Sequence, residues 1–356
     1  MELGERKQKI LTAVIDAYIR TGEPVGSKAL VEMLDNAVSS ATIRNEMAEL
    51  SAMGYLEQPH TSAGRIPTAK AFRLYIDRLM HRQALSEADR KDIDSLLSSA
   101  SGDPERLIEE ASQALAQTTG CAAVTTTPAG QAAYIRRIEV LRASSRMVAL
   151  LLMTGSGVLR TRVCRFDRDV GDETLERLSK ALSAGFGGAE LTEVSLPQVQ
   201  SLMAALGEDG LLCAPALTAF YELVQESAEA EVRLSGQLNL LRHPDYDPGR
   251  ARDLLDFLAR RELLAGLLSA MPRGLRVVLG SESERPELDG SSLIVTRYTL
   301  GGRPDGSIGI IGPVRMNYAA AIPRLEYFAK AVGKLLDEII RDGDAPPPAG
   351  SGDTPQ

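Results

Sequence analysis

Arg44 and Asn45 are the adjacent pair whose side-chain types first suggest chemistry. An arginine fork can bridge O6 and N7 of guanine, and a carboxamide can bridge N6 and N7 of adenine. Wound as a helix at about 100° per residue, this stretch sets Ala41, Arg44, Asn45, Ala48 and Ala52 on one face, with Ile43, Met47 and Leu50 opposite. Small side chains on the first face let a backbone approach a groove closely. Ser39, Ser40 and Thr42 at the helix start offer hydroxyls which, with the free N–H groups of a helix N-terminus, suit a phosphate. Alone, such a face is equally that of an ordinary solvated helix, so its neighbours decide.

Those neighbours point one way. Ile10, Leu11, Val14, Ile15, Tyr18 and Ile19 form one apolar stripe, which predicts a helix over 5–21, stopped by Gly22 and Pro24. Ser27 is the expected N-cap of a short helix over 28–34. A third helix, capped by Ser39 or Ser40, runs to about residue 53. Residues 55–59 and 64–66 then read as a hairpin, with His60, Thr61, Ser62 and Ala63 at its tip and Arg65 beside Gly64. Residues 68–85 read as helical. Three helices followed by a hairpin is the order of a winged helix-turn-helix. The wing adds His60, Thr61, Ser62 and Arg65 to the candidate DNA-binding residues Ser39, Ser40, Thr42, Arg44 and Asn45. Lys70 and Arg73 read either as phosphate contacts or as surface charges, and Arg6, Lys7 and Lys9 as a solvated face.

Downstream, residues 98–104 are a polar break and 105–119 are helical in pattern. Strand-like runs follow at 121–127, 134–141, 147–153 and 158–166, the last two joined by the turn Gly155-Ser156-Gly157. A helix is expected over 172–184. Strand-like signal returns at 275–279, 293–298 and 307–312, before an amphipathic helix over 322–340. Between the two strand-rich blocks, residues 196–270 are almost wholly helical in pattern. The expected fold class is therefore α+β and multidomain: an α+β domain interrupted by a helical insertion, behind a winged helix. Leu202, Leu211, Leu212, Leu217, Phe220, Leu223 and Val224 exceed what a thin insert can bury on itself. Pairing of two chains is the preferred reading for them, and packing on the parent domain the other. Residues 342–356, with three consecutive prolines, are expected to be a disordered tail.

Composition sets the outer limits. The chain has 356 residues, more than one ordinary core accommodates. Its net charge is −8, which looks wrong for a nucleic-acid partner, yet residues 1–82 hold 11 Lys and Arg against 10 Asp and Glu. The acidity belongs downstream, and DNA affinity depends on where the cations sit. No apolar run approaches a membrane span, and the polar first residues do not read as a signal peptide, so a cytoplasmic location is expected. Cys121, Cys164 and Cys213 are widely spaced and read as buried thiols. The three histidines, His60, His81 and His243, are too scattered for a metal site. The glycine pairs lack phosphate-loop spacing, and neither a nucleophile elbow nor a His-containing triad stands out, so no enzyme and no cofactor is expected.

The runs YIRTGEPVGS at 18–27, VSSATIRNEMAEL at 38–50 and GYLEQPHTSAGRIPT at 54–68 resemble the heat-inducible transcription repressor HrcA family. So do IGIIGPVRMNY at 308–318 after Gly301-Gly302, Arg137-Ile138-Glu139, and GQLNLL at 236–241. The resemblance covers essentially residues 3–341. It implies a winged helix-turn-helix over 1–85, a GAF-like α+β domain in two parts (105–195 and 271–341), and a helical dimerising insertion over 196–270. It also implies a homodimer on double-stranded DNA at an inverted-repeat operator of the CIRCE type, repression of chaperone operons, and modulation by the GroEL chaperonin. A winged-helix regulator with a small metabolite in its GAF-like domain is the alternative.

Overall fold

The computed structural model describes residues 3–34, 38–61, 63–98, 102–128, 133–272, 274–301 and 303–344. Ser62 and most of the expected tail, 345–356, lie outside them.

The chain opens with α1 (Glu5–Thr21), α2 (Ser27–Met33) and α3 (Ser40–Ala52). A short wing follows, β1 (Leu56–Glu57) against β2 (Ile66–Pro67), and then α4 (Ala69–Leu74). Ile10, Leu11, Val14 and Ile15 of the α1 stripe are buried as expected, with Leu30 of α2 and Ile43, Met47 and Leu50 of α3, while Tyr18 and Ile19 are half-buried against the same core. Gly22 closes α1 with φ of 72°, its N–H donating to the Tyr18 carbonyl. That left-handed cap is glycine's ordinary role.

Two local expectations shift. Ser27 is the first residue of α2 rather than its cap, and Gly26 stands before it. The helix expected over 68–85 stops early: α4 gives way to a π-helical turn, Tyr75–Leu79, and residues 80–86 form no regular element. The widened turn accompanies Tyr75, whose hydroxyl reaches back 2.7 Å to Oδ1 of Asp16. A further helix, α5 (Glu87–Leu97), begins with a reciprocal Ser86–Asp89 capping box.

The body carries two sheets. In the first, α6 (Pro104–Thr119) leads into β3 (Ala122–Thr126), which sits between β7 (Val232–Ser235) and β10 (Arg303–Pro313). β9 (Ser291–Leu300) and β8 (Arg276–Leu279) complete this five-stranded antiparallel sheet. Ala123, Ile294, Ile308 and Ile310 face α6 and the long C-terminal helix α13 (Tyr318–Asp344). Ala122, Val124, Leu293, Val295 and Ile311 face α11 (Pro248–Ala259) and α12 (Arg261–Ser269) on the other side. The alternation along each strand is what a doubly covered sheet requires.

The second sheet contains β4 (Ile135–Arg142), β5 (Met147–Thr154) and β6 (Leu159–Arg165), all antiparallel. One face packs on α7 (Asp172–Phe186), α8 (Leu196–Ala205) and α9 (Glu208–Ala228). Here the expected organisation needs correcting. The strands at 121–127 and 134–166 belong to different sheets. The helical region 196–270 is split between the two cores and contains the strand β7 and the short helix α10 (Gln237–Leu240). Leu217, Phe220, Leu223 and Val224 are buried against β4–β6 of their own chain and Leu202 and Leu212 are half-buried there, so packing rather than pairing accounts for these six, while Leu211 is exposed. The final helix also extends past residue 342, into the expected tail, as far as Asp344. All three cysteines are buried.

The winged helix and the body share one continuous apolar core. Phe72 of α4 bridges them, its ring 6.4 Å from Tyr18 and 6.2 Å from Tyr318. The connecting segment is also stitched down: Gln83 N–H donates to the Ala319 carbonyl and Arg82 pairs with Glu326. Among the described residues no helix is long and apolar enough to cross a membrane.

Candidate nucleic-acid interface

The N-terminus of α3 is built from three hydroxyls. Ser39 is its cap, accepting the Thr42 N–H at 3.2 Å and sharing a 2.9 Å hydrogen bond with the Thr42 hydroxyl. The Ser40 hydroxyl lies 3.1 Å from that of Ser27, joining the starts of the second and third helices. Ser39 is exposed and Thr42 half-buried, so this capped end remains open to an anion.

Along the helix, Ala41, Arg44, Asn45 and Ala48 are exposed while Ile43 and Met47 are sealed in the core. The expected wheel is therefore realised. Arg44 and Asn45 have no side-chain hydrogen-bond partner among the described residues and stand open to solvent. The two acidic residues of the helix are already neutralised. Lys7 of α1 sits 2.8 Å from both Glu46 and Glu49, and Arg6 reaches Glu46 at 3.9 Å. Its hydrogen bonds to the Glu46 and then the Glu49 carboxylate hold the Lys7 ammonium above the usual lysine value. Two of the three cations expected to form a solvated face, Arg6 and Lys7, thus offset the negative charge of α3, while Lys9 is exposed. The pattern in the sequence, a cation on one helix and two carboxylates on another, carries no signal of that pairing.

The wing is held at both ends. Arg65 and Val25 exchange two backbone hydrogen bonds of 2.9 Å, adding a third strand-like segment to β1 and β2. A Cβ on Gly64 would come within 2.5 Å of Val25, so this close crossing needs glycine. At the tip, the Gln58 amide donates to the Thr61 and Ala63 carbonyls at 2.9 and 3.0 Å. Gln58 was not singled out from sequence, yet it gives the tip its shape. His60 and Thr61 are exposed there and Arg65 is half-buried; Ser62 lies outside the described residues.

The two further cations are otherwise engaged. Lys70 donates to the Met53 carbonyl at 2.8 Å and stands 4.5 Å above the Tyr55 ring. Arg73 binds Glu282 through two nitrogens, at 2.9 and 2.5 Å, and the Val277 carbonyl at 2.7 Å. Arg73 is a tether to the body rather than a phosphate contact. Among the described residues no three His, Cys, Asp or Glu side chains converge as a metal would require.

Residues 2–79 match the family described as winged helix-turn-helix transcription repressor, HrcA DNA-binding, and residues 105–322 match the HrcA protein C terminal domain. The chain is similar to the heat-inducible transcription repressor HrcA of Clostridium acetobutylicum, 32% identical over 97% of this chain and 98% of that one. The repressor of the same description from Moorella thermoacetica is 34% identical over 96% of this chain and all, 100%, of its own. A crystal structure described as a hypothetical protein superposes with a TM-score of 0.66 at 25% identity, covering 95% of this chain and 100% of that one.

Proposed function

Because the chain belongs to the HrcA family of heat-inducible transcription repressors, we propose that it silences chaperone operons as a homodimer on a CIRCE-type inverted repeat, with the GroEL chaperonin sustaining its active form. One observation carries the DNA-reading part. Arg44 and Asn45 stand exposed and unpartnered between Ala41 and Ala48, on a helix whose N-terminus is capped and whose carboxylates are neutralised. Arg44 and Asn45 read base edges, while Ser39, Ser40 and Thr42 hold a phosphate. His60, Thr61, Ser62 and Arg65 of the wing lie along the groove. Family membership supports the operator class, the chaperone operons and the chaperonin.

A lone winged helix covers few base pairs, so repression calls for two, related by the symmetry of the site. The outer face of the three-stranded sheet supports the pairing. Leu141, Met147, Leu159 and Val163 are 49%, 41%, 49% and 53% exposed, with Ala149, Leu151 and Met153 only half-buried between them. An uncovered apolar sheet face of this kind is a contact surface, and a second copy is its occupant. The pairing unit is accordingly the β4–β6 sheet with α7, α8 and α9, inserted into a GAF-like body that comprises the five-stranded sheet and its helices.

Fluorescence anisotropy on a CIRCE-type duplex and a scrambled duplex tests the reading, with GroEL present and salt varied. We expect palindrome-selective binding that Arg44→Ala weakens by about 1–3 kcal/mol, the range for a bidentate base contact. Equal, weak and steeply salt-dependent binding to both duplexes would reduce the interaction to phosphates alone.

A further inference from the structure

Arg315 lies in the turn between β10 and α13, remote in sequence from the DNA-reading helix. Its Nε donates to Oδ1 of Asp245 at 2.5 Å, and its Nη1 donates to the Ile19 carbonyl at 3.2 Å. Ile19 is in the last turn of α1, where carbonyls have no partner within the helix. The body therefore supplies a partner for a carbonyl beside the one that the Gly22 cap satisfies. The pair is largely buried, with side chains 15% and 19% exposed. Gly22 makes room for it: a Cβ there would stand 3.0 Å from the guanidinium carbon. Asp245 comes from the segment between α10 and α11, so Arg315 joins three separate parts of the molecule.

Two other contacts hold the same head: the Phe72–Tyr318 ring pair and the Arg73–Glu282 tether. Three separate contacts on one rigid unit fix its angle as well as its position. None of them touches the exposed face of α3. The angle still matters for DNA, because one added base pair turns the second half-site by about 34° and moves it about 3.4 Å.

We propose that Arg315, held by Asp245, is a positioning residue that sets the angle of the winged helix on the body and so the half-site spacing the paired repressor accepts. This rests on the paired operator reading above. The guanidinium can serve both partners because its nitrogens are fixed in a planar fork; a lysine keeps the charge and loses that geometry.

The test uses full-length wild type, Arg315→Lys and Asp245→Asn on three duplexes: a single half-site, the full operator, and the operator lengthened by one base pair. Both variants should bind the half-site as wild type does. On the full operator they should lose about tenfold, the scale of one charge-assisted hydrogen bond, and their preference for the natural spacing should collapse. Equal losses on half-site and full operator would mean a merely structural role and overturn the proposal, as would an intact spacing preference. A wild type that does not prefer the full operator over the half-site would instead overturn the paired reading.

The clamp is then judged by spin labels at Ala52→Cys in the head and Leu211→Cys in the body, both exposed. Labelled chains are diluted so that only intrachain distances are read. Arg315→Lys should broaden that distance distribution, and an unchanged width would overturn the clamp.

Discussion

The ammonium of Lys70 lies 2.8 Å from the carbonyl of Met53 and closes the C-terminal end of α3. Met53 is the C-cap of α3, where a cation meets the negative end of the helix dipole. The same ammonium sits over the Tyr55 ring. Lys70→Ala should therefore lower head stability by about 1 kcal/mol in a denaturant titration. It should leave the salt dependence of DNA binding unchanged, since Lys70 is spent inside the fold. A slope reduced by about one counterion would reassign it to a phosphate.

Ser39 has two tasks that substitution can separate. Ser39→Ala removes the cap and should cost about 1 kcal/mol of stability. Ser39→Asp caps equally well but faces the DNA with a negative charge. We expect it to melt like wild type and to bind operator poorly. Tight binding by Ser39→Asp would place the phosphate elsewhere.

The outer sheet face and the core beneath it should respond differently. Val163→Glu should yield a monomer by sedimentation with a melting temperature close to wild type, because Val163 has no covering layer to lose. Leu223→Ala, buried between α9 and the same sheet, should cost about 2–5 kcal/mol in stability. Wild-type association by Val163→Glu would move the pairing surface off this sheet.

The Arg73–Glu282 tether carries an acid response. Burial works to raise the Glu282 carboxyl, but the Arg73 hydrogen bond, the Leu279 N–H and the Arg73 charge together hold it below the usual glutamate value. A carboxyl depressed on folding contributes stability above its unfolded value and loses it as pH falls through the folded value. The stability gap between wild type and Glu282→Gln should therefore be constant above about pH 4.3 and close below it. A gap unchanged to about pH 3 would detach Glu282 from the acid response.

Much of the head could be read from the sequence because its signals are local. The stripe Ile10, Leu11, Val14 and Ile15, the stop at Gly22 and the two faces of 40–53 all follow from periodicity within one element. Partners chosen across elements left no such trace. Arg73 finds Glu282 more than two hundred residues away, and Lys7 finds Glu46 and Glu49 on another helix. The body was harder for the same reason. β7 is only four residues long, too short for alternation to register, and Arg233 interrupts its apolar character. Strands β3 and β4 follow each other in the chain yet pair with different partners. Amphipathic helices such as α9 announce an apolar face but do not say whether their own chain or another covers it.

The ring of Phe72, wedged between Tyr18 and Tyr318, bears on how such repressors can be re-engineered. A head cut away after α4 would turn Phe72 and the end of α1 toward water, and would lose the guanidinium that hydrogen-bonds the Ile19 carbonyl. The winged helix is thus no portable cassette: transplanted to another scaffold, it would need Tyr318, Arg315 and Glu282 to travel with it. The exposed face carrying Arg44 and Asn45 has no such ties. If that face reads the operator as proposed, redirecting this protein calls for regrafting the face and leaving the domain in place.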